Sequence, residues 1–371
     1  MDTVMSITAY GEGAGEAVRD AERRIRELDK LWSVGDPESE ISRVNGGGDA
    51  PSEETGEILL EAERVREMTG GAFDERVYAL SEAWGFYSGE YSVPGADELK
   101  KLLGNKDKID LGAIAKGYAS DETAALLRGA GIESAIINLG GNVFALGSKP
   151  GGGAWNVAVR DPLDSSKHVG SLKLRDRAAV TSGGYERYFE ENGVRYHHII
   201  DPRTGYPADS GLASVTVVSE NGTLADGLST GLFVLGKERA IGLWRENMEL
   251  FDLVLVENDG TVTVTDGLEK SFSSGRGASV AGPGAGIIGV FKGGELLHAA
   301  DLGAVSEPYD FDAGGKNIVR IAPGEAYMLS AECRDQICVR HSALRGGGYG
   351  AEGPVVCLPN SVVIKYIDKL P

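Results

Sequence analysis

The sequence predicts an α+β layer fold followed by a small, separate all-β module. Three observations carry that prediction. Apolar residues recur at helical spacing in some stretches and as strand-like runs in others, without strict βαβ alternation. Residues 271–286 (SFSSGRGASVAGPGAG) are small, polar and Gly-rich, as a flexible linker is. Beyond them every recognisable element is a short strand. At 371 residues the chain is long for one domain and comfortable for two. The expected organisation is residues 1–270, a linker over 271–285, and a β module over 286–371.

Taken in order, Ala17, Ala21, Ile25, Leu28 and Leu31 mark one core-facing helix, and Ile58, Ala62, Val65 and Met68 a second. A third is expected from near Ala113 to Arg128, closed by Gly129 and Gly131. Strands are expected over 134–139, 155–159, 213–218 and 253–256, with a hairpin turning at Asp259-Gly260 into 261–264. In the C-terminal module the expected strands are 287–291, 295–299, 318–321, 327–331, 355–358 and 362–367.

Hydrophobic residues make up 42% of the chain, enough for sizeable cores. Gly supplies 54 of 371 residues, about twice the usual ~7%, which suits tight turns and close backbone approaches. A formal net charge of −19 argues against a nucleic-acid backbone or an anionic lipid surface as partner. No stretch is long and apolar enough for a transmembrane helix, and the first residues contain no apolar secretory region. Three Cys, an odd number, do not make a disulfide framework.

Asp226 and Thr230 stand four apart on an expected helix, so their oxygens share one face and suit a hard cation such as Mg²⁺. By themselves they read equally as a helix start with a surface threonine. Asp110 precedes a Gly-containing turn into the third helix, whose N-terminus favours anions, and it reads alternatively as that helix's cap. Lys116 is otherwise an ordinary surface lysine. Phe73, after a Gly-Gly pair, reads first as core. His198 offers an imidazole for proton transfer or a structural hydrogen bond within a strand. The segment 201–205 (DPRTG) reads as a turn, with Arg203 a weaker phosphate candidate.

These residues sit in ordered motifs: 2–6 (DTVMS), 40–45 (EISRVN), 71–74 (GAFD), 110–118 (DLGAIAKGY), 138–142 (NLGGN), 181–185 (TSGGY), 196–205 (YHHIIDPRTG) and 225–230 (ADGLST). Together they resemble the ApbE family, the FAD:protein FMN transferases, from the first residues to about Leu268. The resemblance implies an ApbE-like (T-fold-like) domain that transfers FMN from FAD to a Thr or Ser hydroxyl of an acceptor flavoprotein. Mg²⁺ would assist and AMP would leave, with FAD hydrolysis as the side reaction. It further implies that Met1, Ala72, Phe73, Asp74, Asp110, Lys116 and Ile200 contact FAD. The Ala113 carbonyl, Asp226 and Thr230 would ligate the metal, and His198 would act as base. Lys116 and Mg²⁺ would offset the acidic chain beside the dinucleotide. Many relatives carry an aromatic residue where this chain has Gly35, which cannot stack on a ring; either another aromatic replaces it, with Trp32 and Tyr185 as candidates, or cofactor affinity is lower.

Relatives work outside the cytoplasmic membrane, so an export signal or lipid anchor is expected to have preceded this sequence, a cytoplasmic protein being the alternative. Family acceptors carry an Asp-x-x-Ser/Thr-Gly-Ala-Ser/Thr motif; no clean copy occurs here, so self-flavinylation is not expected. Cys333, Cys338 and Cys357, in the segments 333–339 and 356–360, resemble NusG domain II. With His341 they would serve a Zn²⁺ or iron–sulfur centre, a disulfide plus one free thiol, or simple burial, and no metal is assigned there. Two other functions stay open: an FAD-storage protein without catalysis, and an electron-transfer partner using the Cys module.

Overall fold

The computed structural model describes residues 3–48, 50–275, 278–281, 287–302, 305, 307–322, 325–333, 337–340, 343–345 and 355–367. They form two compact units, Met1–Ser279 and Val280–Pro371. Met1 and His341, both singled out in the sequence, lie outside the described residues.

The first unit is built on an eight-stranded sheet. Its spatial order is Met5–Tyr10, Ser134–Leu139, Asn142–Gly147, Arg177–Gly183, Leu212–Ser219, Asp252–Glu257, Val262–Thr265 and a short edge strand, Ser279–Ala281. The first seven strands pair antiparallel with their neighbours. Helix Gly222–Leu235 lies against the central strands Arg177–Gly183 and Leu212–Ser219, and helix Ala115–Gly129 packs beside it. The other face is closed by a three-stranded sheet of Phe272–Ser274, His168–Leu174 and Trp155–Arg160. Trp155, Val157, Val159, Leu172 and Leu174 meet Ala179, Val218, Val254 and Val256 there. Burial along the strands follows from this layering. Residues Val215 to Ser219 are all buried because both faces are covered, whereas Trp155–Arg160 alternates buried and exposed because one of its faces meets solvent.

Two expectations are corrected. The third helix begins at Ala115, close to the expected start, but its cap position is Ile114, so Asp110 is not its cap. The stretch expected as linker carries a strand: Phe272–Ser274 pairs antiparallel with residues 170–172. The Phe272 ring lies over Gly170, where an added Cβ would come within 2.3 Å of it. One aromatic residue among small polar ones was enough to anchor the segment.

The second unit holds two four-stranded antiparallel sheets. One orders Glu295–Asp301, Ile287–Lys292, Val362–Tyr366 and Val355–Cys357. The other orders Tyr309–Asp312, Asn317–Ala322, Glu325–Ala331 and Ala343–Arg345. Ile288, Val290, Val319, Ile321, Met328 and Ile364 fill the core. The one departure from all-β among the described residues is a helical turn, Ile337–Arg340.

Candidate active site

The site forms where helices Ala115–Gly129 and Gly222–Leu235 touch. Gly117 permits the contact: a Cβ there would come 2.2 Å from the Gly222 carbonyl oxygen and 2.7 Å from Asp226 Cβ. The two helices cap each other. Asp226 Oδ2 accepts the Gly117 backbone N–H at 2.8 Å, satisfying a first-turn donor of the neighbouring helix. In return, the Asp121 carboxylate accepts the N–H groups of Gly222 and Thr223, both at 2.8 Å, and the Thr223 hydroxyl at 2.7 Å. Asp121 carried no expectation from sequence; an acid mid-helix gives no local sign that it caps another helix.

Asp226 is only 3% exposed. Burial pushes its carboxyl above the usual range, against the pull of Lys116, whose Nζ lies 3.6 Å from Oδ1, and of the Gly117 N–H. A buried carboxylate held this way gains from a cation. Lys116 Nζ also donates to the Gly112 carbonyl at 3.2 Å, which ties the turn before the helix to the same point. Because Gly117 N–H turns to Asp226, no backbone hydrogen bond among the described residues reaches the Ala113 carbonyl. One turn along from Asp226, the half-buried Thr230 hydroxyl pairs at 3.2 Å with Ser182 Oγ, which also bonds Ser229 Oγ at 2.7 Å. A buried anion, a carbonyl without a backbone partner and a hydroxyl make an all-oxygen donor set that fits Mg²⁺.

His197 and His198 are separated by their hydrogen bonds. A carbonyl oxygen only accepts, so the ring nitrogen on it carries the proton. His197 Nε2 donates to Ala208 O at 3.0 Å and its Nδ1 accepts the Ile199 N–H at 3.3 Å, which uses both nitrogens. His198 Nδ1 donates to Arg187 O at 3.2 Å, and no hydrogen bond reaches its Nε2 among the described residues. Its ring is half-buried, and burial, then the charge of Arg187, push its pKa down to about 3, with Lys116 adding to the effect. The imidazole is therefore neutral, with its Nε2 lone pair available. Glu186, at the same cleft, is raised by burial while Lys116, Arg160 and Arg187 oppose the shift. It follows directly on the motif at 181–185 but drew no expectation of its own.

The other predicted residues fall nearby with distinct environments. The backbone N–H of Asp110 donates to Glu75 O at 2.7 Å, joining the 110 turn to the 72–75 segment. Its carboxylate accepts the Gly112 N–H at 2.8 Å and the hydroxyl of Tyr87. Ala72 and Phe73 are 1% and 2% exposed, Phe73 packs against Gly231 beside Thr230, and Asp74 is buried as well, so none of the three side chains stands open to solvent. Burial raises the Asp74 carboxyl, but hydrogen bonds from Arg76 and Lys106 outweigh it and hold the group below its usual value. Ile200 is buried with Leu80, Trp84, Phe86 and Leu99. Of the two candidates to replace the missing aromatic at Gly35, Trp32 is 4% exposed and its Nε1 donates to Thr55 Oγ1, whereas Tyr185 is half-buried. The Arg203 guanidinium is taken up bidentately by Asp201 at 2.8 and 2.7 Å.

Residues 1–254 match the ApbE family, and residues 277–369 match NusG domain II. The chain belongs to the ApbE family. A relative from Treponema pallidum named FAD:protein FMN transferase is 35% identical over 260 residues, spanning 60% of this chain and 72% of its own length. One of the same name from Haemophilus influenzae is 31% identical over 300 residues, spanning 72% and 86%. Among solved structures, the ApbE protein of Thermotoga maritima superposes with a TM-score of 0.66 at 32% identity, over 71% of this chain and 94% of its own. The flavin transferase ApbE of Vibrio cholerae gives 0.65 at 29%, over 73% and 96%. The ApbE match contains both capped helices and the His198 segment, so the site described above lies wholly inside it.

Proposed function

We propose that this ApbE-family chain is a Mg²⁺-dependent FAD:protein FMN transferase that esterifies a Ser or Thr hydroxyl of an acceptor flavoprotein and releases AMP. The observation that carries the reading is a buried carboxylate needing a cation and a Lys at one helix contact, with a neutral His, whose Nε2 has no hydrogen bond among the described residues, near enough to feel the charge of that Lys. Asp226, Thr230 and the Ala113 carbonyl would hold Mg²⁺, which would supply Lewis-acid stabilisation of charge on the pyrophosphate. Lys116 adds positive charge to the same phosphates. The N-terminus of helix Ala115–Gly129, with Asp110 and the 72–74 backbone, frames the nucleotide.

His198 Nε2 takes the acceptor's hydroxyl proton while its Nδ1–H stays on the Arg187 carbonyl, which fixes tautomer and ring orientation. The hydroxyl oxygen bonds to the FMN phosphorus, the pyrophosphate P–O bond breaks, and its electrons leave on AMP. A pKa near 3 makes a feeble base in the free enzyme. The pyrophosphate offsets the Arg187 and Lys116 charges that help depress it, so basicity rises as substrate binds. Water in place of the acceptor gives FMN and AMP. The working place is proposed to be outside the cytoplasmic membrane; no helix among the described residues is long and apolar enough to cross one. The test is incubation with FAD, Mg²⁺ and a peptide carrying the acceptor motif, read by mass for one added FMN. An unmodified peptide, with no FAD consumed, overturns the reading.

A further inference from the structure

Three cysteines of the second unit meet at one point. Cys333 follows strand Glu325–Ala331, Cys338 lies in the turn Ile337–Arg340, and Cys357 ends strand Val355–Cys357. Their Sγ atoms all lie within 4.8 Å of one another, and those of Cys333 and Cys338 are 4.0 Å apart. All three are free; Cys338 and Cys357 are buried and Cys333 is half-buried. The transferase chemistry proposed for the first unit uses none of them.

We propose that these three thiolates bind one Zn²⁺ ion. Tetrahedral zinc with Zn–S of about 2.3 Å sets neighbouring sulfurs about 3.8 Å apart, close to the Cys333–Cys338 spacing. A disulfide would need about 2.05 Å and would leave the third thiol stranded in the core. The surroundings favour the metal-bound form. The Asn317 side chain and the Asn360 backbone N–H lie within hydrogen-bonding reach of the Cys357 sulfur. Asn317 is fully buried and fixed further by Met328 Sδ at 3.2 Å from its Nδ2. Such N–H donors orient metal-bound sulfur and spread its charge. Three thiolates whose sulfurs all lie within 4.8 Å of one another repel strongly, so the cluster does not carry three negative charges without a cation. Zn²⁺ removes that obstacle: three thiols lose three protons, three Zn–S bonds form, and the centre carries a net charge of −1 with a fourth position for water or another ligand. No electron is transferred. A small β unit gains a cross-link between elements that sequence keeps far apart.

The test uses the full chain, reduced and stripped of metal, titrated with Co²⁺ as a spectroscopic substitute for Zn²⁺. Thiolate-to-cobalt charge-transfer bands should saturate at one equivalent and vanish when Zn²⁺ is added. Co²⁺ on the oxygen ligands of the first unit gives no such bands, so failure of the transferase reading would leave this result untouched. Cys333→Ser, at the least buried of the three, should lose most of the band intensity. If that variant does not fold, the unaltered chain answers instead: Zn²⁺ should shield all three thiols from alkylation, counted by intact mass. Absent thiolate bands, unchanged bands in folded Cys333→Ser, or alkylation indifferent to Zn²⁺ would each overturn the site.

Discussion

Asp226→Asn separates the capping role of this residue from its proposed metal role. Asn keeps an oxygen that can accept the Gly117 N–H now held at 2.8 Å, so the neighbouring helix stays capped. What it removes is a charge 3.6 Å from Lys116 Nζ. At an effective dielectric of about 20 that attraction is roughly 4–5 kcal/mol gross, and the cost of stripping water from a nearly inaccessible carboxylate offsets most of it. The raised pKa of Asp226 gives the sign of the balance. A carboxyl whose folded pKa exceeds its unfolded value binds its proton more tightly when folded, so it stabilises below that window and is a net burden at neutral pH. Without metal, then, the Asn variant should melt at the same temperature as the parent or higher. With Mg²⁺ the two should diverge. Ligand present at 100 times its Kd adds about 2.7 kcal/mol to the parent, while the variant should gain little. FMN transfer to the peptide should fall by ~10²-fold or more, a typical loss when one electrostatic stabiliser is removed. Melting curves with and without Mg²⁺, paired with mass-detected flavinylation, read both effects. Full transfer by Asp226→Asn without added metal, or an equal Mg²⁺-induced shift in both proteins, would refute the metal assignment.

Thr230→Ala should give a partial loss of transfer that higher Mg²⁺ recovers; a loss insensitive to Mg²⁺ would return Thr230 to its bond with Ser182 alone. His198→Ala should slow transfer by ~10²–10⁴-fold with FAD affinity little changed, and unchanged rates would make the residue structural. Because the free-enzyme pKa of His198 is about 3, kcat/KM should show no acid limb near the ordinary histidine value. Folding stability tied to this neutral ring should be present above ~6.5 and be lost as pH falls toward 3; a His198-dependent break near 6.5 in kcat/KM would contradict the reading. Gly117→Ala should destabilise by about 1–3 kcal/mol or more in urea unfolding, since its Cβ meets the Gly222 carbonyl oxygen at 2.2 Å; an unchanged midpoint would mean the helices part without cost. A chain ending at Ser271 should melt below one ending at Ala281, because it lacks the strand that seats Phe272 over Gly170; equal melting temperatures would restore 271–281 to linker.

What the sequence determined by itself was whatever is written in local pattern. Among the described residues, periodicity marked the helices Ala14–Trp32, Glu53–Met68 and Ala115–Gly129, apolar runs marked most strands of the second unit but fewer than half of those in the first, and motif order identified the ApbE family, with Asp226 and Thr230 on one helix. Tertiary structure decided matters that depend on residues distant in the chain. That Asp226 caps a helix more than 100 residues upstream, and that Asp121 returns the favour, follows only once Gly117 lets two backbones touch. The distinction between His197 and His198 rests on which carbonyl each ring reaches, Ala208 or Arg187, and adjacent letters in a sequence cannot express it. The close approach of Phe73 Cβ likewise requires a glycine at 231, and that of the Phe272 ring a glycine at 170. The three cysteines, spaced in no standard metal pattern, converge because a strand end, a helical turn and a later strand fold onto one core. Helices and strands are set by interactions a few residues long, whereas caps, tautomers and ligand clusters are set by packing, and packing joins residues that sequence distance keeps apart.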